Sequence, residues 1–153
     1  MRQPFLRFLA PCFLVVLALP AHAQQAGSGA GSGNVLLDAA AIPYREIAPG
    51  VRQAMLYGSP GAAGQPFTFR LHIAESFEMG PHTHPVPEHM TVLSGRFFVG
   101  IGEVLDRSKA VEYGPGSYIV VDAGVAAYMW AEGETVVQVH GVGPLETVMV
   151  NGQ

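Results

Sequence analysis

Beyond Tyr44, glycine and proline interrupt the chain at short intervals, and β-branched and aromatic residues fill the gaps. Glycine weakens the interior of any regular element and proline removes a backbone donor, so this punctuation excludes long helices and favours short strands joined by turns. No segment past Tyr44 sustains an apolar period of 3.6 residues. Candidate strands fall at 53–57, 67–74, 88–93, 96–101, 117–121, 128–131, 135–140 and 146–150. Even spacing of this kind predicts an all-β antiparallel sandwich or barrel. Ser94-Gly95 predicts a tight hairpin, and Gly114-Pro115-Gly116 a turn leading into a strand. The polar stretch 106–111 reads as a surface loop.

The beginning of the chain is of another kind. Residues 1–23 have a basic start (Arg2, Arg7), an apolar run from Phe8 to Leu19, then Pro20 and Ala21-His22-Ala23. That order predicts a secretory signal peptide cleaved before Gln24, and so a periplasmic or secreted protein. The apolar run is shorter than the ~20 residues that cross a bilayer, and no membrane association is expected once it is removed. Residues 24–34, QQAGSGAGSGN, bury almost nothing on ordering and are expected to form a flexible tether. Residues 35–44 have room for one short helix, stopped by Pro43. A single domain is then expected over 35–153, long enough to bury one core.

Charge and cysteine usage narrow the chemistry. The leader carries two of the 8 basic residues and none of the 12 acidic ones, so the rest of the chain has a net charge of −6. An acidic surface without basic clusters gives no footing for nucleic acid or anionic membranes. The one cysteine, Cys12, lies in the leader, which leaves neither a disulfide nor a thiol nucleophile. There is no Gly-x-Ser-x-Gly elbow and no phosphate loop, so serine hydrolysis and phosphoryl transfer are not expected.

The informative cluster is His82-Thr83-His84. On an extended strand, residues two apart project to the same face, so both imidazoles can converge on one ion. Glu88 follows across Pro85-Val86-Pro87, whose prolines restrict the bend between them. Two imidazoles and one carboxylate form a facial donor set suited to a divalent Fe, Mn, Zn or Ni ion. Positions left free on the ion would take water or a substrate oxygen. For an isolated His-x-His pair, two exposed turn histidines would be the better reading; Glu88 and the spacing to Gly95 reverse that balance.

The stretch HTHPVPEHMTVLSG resembles the first motif of the cupin superfamily: His-x-His, three or four residues, Glu, six residues, Gly. His82, His84, Glu88 and Gly95 match it position by position, while Ser76 stands where the motif opens on glycine. The second motif is degraded. Its frame fits 116–127, but Asp122 replaces its proline and Ala127 its histidine. The chain is also similar to small exported bacterial cupins in EHMTVLSG and VQVHGVGP, and the resemblance spans roughly residues 45 to 150. It implies a double-stranded β-helix, the jelly-roll barrel. It also implies a homodimer joined through edge strands, and a metal held by His82, His84, Glu88 and a fourth ligand at 127.

Alanine cannot be that ligand, which leaves three outcomes. The remaining three residues hold the ion alone, another side chain substitutes, or the site is vestigial and empty. The candidate substitute is His140, which would share with Gln138 a strand face opposite Val137 and Val139. If that face looks into the barrel, His140 ligates, orients a water or carries a proton; otherwise it is a histidine bonded to a backbone carbonyl. His72 is expected at the solvent or a subunit contact, and His89 faces away from Glu88. Tyr128, Met129 and Trp130 are expected in the core or an interface, with a pocket mouth as the alternative. Two functions fit: a metal-dependent enzyme acting on a small molecule, or a non-catalytic module binding a small ligand or the metal itself.

Overall fold

The computed structural model describes residues 33–150. The leader expected over 1–23 and most of the tether expected over 24–34 lie outside the described residues. Nine antiparallel strands follow one 3₁₀ turn at Ala39–Ala41, which occupies the place of the short helix expected before Pro43. They are β1 (Arg45–Ala48), β2 (Val51–Tyr57), β3 (Pro66–Ile73), β4 (Ser76–Thr83), β5 (Glu88–Ile101), β6 (Val111–Tyr113), β7 (Tyr118–Val121), β8 (Ala127–Val142) and β9 (Val148–Met149).

Two long strands, β5 of 14 residues and β8 of 16, pair along nearly their whole length, from His89↔His140 to Ile101↔Ala127. The outer edge of β8 is shared. Its second half pairs with β3 and its first half with β4. The outer edge of β5 is divided in the same way between β7 and β6. One half of the barrel is therefore β1-β2-β3-β8-β5-β7, and the other is β9-β4-β8-β5-β6, with β5 and β8 running through both. This is the expected jelly-roll.

Ser94-Gly95 is not a hairpin. β5 continues through it, with register shifts between Val92 and Ser94 and between Ser94 and Arg96. Gly95 takes φ +84°, and a Cβ there would collide with the Glu134 carbonyl and the Cα of Thr135. A left-handed glycine in a paired strand is a bulge, which bends the ladder without ending it. The same reading split β8 into two strands, because Gly133, at φ +73°, also marks a bend within a paired strand. β4 escaped detection because SFEMGPHT carries Gly80-Pro81; the strand tolerates them at a register shift between Met79 and His82.

Alternation along the long strands separates inside from outside. On β8, Ala127, Met129, Ala131, Val137 and Val139 join the core with Met90, Val92, Phe97 and Val99 of β5. The even-numbered Tyr128 and Trp130 are also buried, but on the outer face beneath the polar stretch before β6. Tyr128 donates to the Asp106 carbonyl at 2.8 Å, and Gly100 leaves room for its ring. Trp130 stacks between Phe98, at 4.9 Å and 4°, and the Arg107 guanidinium, at 4.6 Å. The expected surface loop is thus strapped to the barrel wall.

Gly95→Ala imposes both positive-φ strain and a backbone collision, each worth about 1–3 kcal/mol. The denaturation midpoint should fall by the equivalent of about 3 kcal/mol with an unchanged slope, as measured by urea unfolding followed by circular dichroism.

Candidate metal centre

His82 is the second-to-last residue of β4, Glu88 begins β5, and His84 stands in the connection between them. The turn carrying Pro85 and Pro87 folds the chain back, so the three side chains meet although they belong to different strands. One ligand atom from each lies within 4.8 Å of the other two, and all three residues are buried.

Hydrogen bonds prepare the imidazoles. His82 Nδ1 lies 2.8 Å from the Gly80 carbonyl oxygen, and His84 Nδ1 lies 2.7 Å from that of Glu146. A carbonyl only accepts, so each Nδ1 carries the proton. In its neutral form, each ring then keeps an Nε2 lone pair for a ligand. The His84 Nε2 is 3.7 Å from Glu88 Oε2, too far for a hydrogen bond.

Glu88 is the anomaly that defines the site. Its Oε2 is buried and has no hydrogen-bond partner among the described residues. Burial pushes its pKa from the ordinary 4.5 up to about 7, against the opposing attraction of His82. A buried carboxylate without a hydrogen-bond partner is costly alone, and beside two imidazole Nε2 atoms it is well matched to a divalent cation. The residues present therefore fit such an ion. The carbonyls of Gly80 and Glu146, which hold the imidazoles, were invisible in the sequence because any residue supplies a carbonyl.

Ala127 is directly opposite His82 across the β4–β8 ladder, so its Cβ shares the inner face with that imidazole. Met149 is opposite His82 on the other side, across the β4–β9 ladder.

His140 is placed elsewhere. Val137 and Val139 point into the core, so Gln138 and His140 occupy the outer face of β8. There His140 stacks on His89 with centroids 5.0 Å apart at 21°, while His89 Nδ1 bonds the Tyr118 hydroxyl at 2.7 Å. Burial, and then His89, hold the His140 pKa below its usual value. The barrel wall separates His140 from the cluster, so strand alternation removes it as the substitute ligand. Gln138 accepts from Arg70 Nε at 2.9 Å beside a surface groove of about 320 Å³, also on the outer face. His72 lies on that side too, 3.0 Å from Glu134 Oε1.

No family model matches the chain, and no curated protein does. Solved structures do match. The polyketide cyclase RemF from Streptomyces resistomycificus aligns with a TM-score of 0.62 at 16% identity, over 77% of this chain and 86% of that one. An RmlC-like cupin from Shewanella frigidimarina aligns at 0.56 and 12% identity, over 78% of this chain and 95% of that one. The chain has the cupin-type barrel fold. A salicylate 1,2-dioxygenase from Pseudoaminobacter salicylatoxidans, solved in complex with gentisate, shares the barrel at a TM-score of 0.55 and 17% identity, over 70% of this cupin and 31% of that longer chain.

Two outcomes test the centre. Because Glu88 binds its proton more tightly when folded, the metal-free protein should lose stability as pH rises from about 4.5 through about 7. The loss should be on the order of 3 kcal/mol, and Glu88→Gln should abolish it in unfolding titrations with chelator. Ala127→His should raise Zn(II) affinity at least about tenfold, a gain of ~1.4 kcal/mol, in chelator competition; an unchanged affinity would mean that position 127 does not aim at the ion.

Proposed function

We propose that this cupin holds a divalent transition metal through His82, His84 and Glu88 and presents the open side of the ion to a small molecule. The observation that carries this reading is the partnerless, buried Glu88 oxygen facing two imidazoles whose protons are committed elsewhere. When bound, the ion supplies Lewis-acid polarisation of an oxygen donor on the ligand.

The chain's own residues set what else the site does. His82 and His84 are oriented by the Gly80 and Glu146 carbonyls, and Glu88 provides the negative charge. Besides these three, the one buried polar residue described is Thr135, whose hydroxyl accepts from Arg96 N–H and donates to the Gly133 carbonyl. The inner surface near the ligands is otherwise apolar, with Met90, Ala127 and Met129. A molecule meeting the ion is therefore gripped by coordination and apolar contact, and among the described residues no buried cation is there to select an anionic tail. A compact, chelating oxygen donor with an apolar body fits that surface. The complex of the salicylate dioxygenase with gentisate, an aromatic oxygen donor, supports a ligand of this class. The leader-like composition of 1–23 supports action in the periplasm or outside the cell.

A non-catalytic binding role is favoured by Ala127, which removes one donor from the set the motif implies. Metal analysis of purified protein decides the ion. Stoichiometric metal is expected, and His82→Ala or Glu88→Ala should weaken it by more than the roughly 10- to 100-fold that a lost supporting hydrogen bond costs. Metal content indifferent to both substitutions would refute the site. Oxygen uptake with a panel of small diols and diketones then separates an enzyme from a binder.

A further inference from the structure

The donor missing at 127 has a counterpart on the other side of His82. We infer that the fourth ligand is the Met149 thioether, and that it makes the centre selective for copper. The inference rests on the reading that His82, His84 and Glu88 hold an ion, and it names the metal that reading leaves open.

Directly opposed residues of an antiparallel pair project to one face, with Cβ atoms ~4.5–5.5 Å apart. His82 has two such neighbours, Ala127 on β8 and Met149 on β9. Ala127 ends at its Cβ and reaches nothing. Met149 has three rotatable side-chain bonds and a polarizable sulfur. It is half-buried, and its terminal methyl lies 3.6 Å from where a Cβ on Gly80 would stand. Gly80 is the residue whose carbonyl holds His82 Nδ1, so the thioether arm reaches the segment that orients that imidazole.

The strand carrying Met149 belongs to the site. β9 pairs only with the end of β4, through His82↔Met149 and Thr83↔Val148. Three residues earlier, the Glu146 carbonyl accepts the His84 Nδ1 proton at 2.7 Å. The segment that orients one imidazole thus delivers a sulfur beside the other. Sulfur is also plentiful around the cluster. Met90 follows Glu88 by two residues on the same face of β5, and Met129 follows Ala127 likewise on β8, opposite Met79.

A thioether is a soft donor that selects Cu(I), and among divalent first-row ions Cu(II) binds mixed nitrogen and oxygen sites most tightly. Mn(II) and Fe(II) gain little from such a sulfur. Two imidazoles, a carboxylate and a thioether therefore form a set that holds copper in either oxidation state and disfavours the harder ions.

The test uses the purified full chain, loaded anaerobically with Cu(I), and separately with Zn(II). X-ray absorption should show a sulfur scatterer around copper. Met149→Leu should remove it and weaken Cu(I) at least about tenfold in chelator competition, while Zn(II) affinity changes less than about twofold and so reports an intact site. Met90→Leu should keep the sulfur scatterer. A copper shell of nitrogen and oxygen alone, or a Met149→Leu variant with undiminished Cu(I) affinity, overturns the thioether ligand and leaves the three-residue site standing. A wild-type protein that holds neither metal overturns both.

Discussion

The ladder between β5 and β8 is the constraint on which the rest of the molecule depends. Both strands are long enough to serve two half-barrels, and each is bent without losing its partner, at Gly95 and at Gly133. Because each lends different stretches of its outer edge to different neighbours, the two halves share one hydrophobic core. The site sits where the two halves meet: the short connection through Pro85 and Pro87 carries the chain from the end of β4, paired with the first half of β8, to Glu88 at the start of β5, paired with β7.

The site carries a cost that the barrel must bear. A carboxylate without a hydrogen-bond partner in an apolar interior works against folding, which is why its proton is held up to about neutral pH. A cation at the cluster converts that penalty into an attraction, and binding free energy becomes folding free energy. For a domain whose described part has no cysteine to cross-link it, that coupling matters. Metal capture and stability are then expressions of the same buried charge.

The likeness to a polyketide cyclase and a dioxygenase at 16–17% identity shows how little of the chemistry the barrel itself dictates. What distinguishes this chain lies beside His82 in the ladder. On one side the ladder presents an alanine, on the other a methionine. On the proposed reading, the donor set and the choice of metal follow from which neighbour reaches inward.

Much of this was legible in the residues. The spacing of glycine and proline excluded helices, and alternation put His82 and His84 on one face. The motif through Gly95 pointed to the cupin barrel and to three converging donors. Strand alternation also turned His89 away from Glu88, as it does in the structure. The sequence could not tell a bend from a turn at Gly95 or Gly133, because a left-handed glycine serves both and only the partner strand decides. Nor could it tell which face of β8 looks inward. Val137 and His140 alternate perfectly well either way, and the packing of Val137 and Val139 against β5 sends His140 outside. Local chemistry is written in the order of residues. Which carbonyl holds an imidazole, and whether Ala127 or Met149 stands beside it, depends on strands far apart in the chain, and only the closed barrel brings them together.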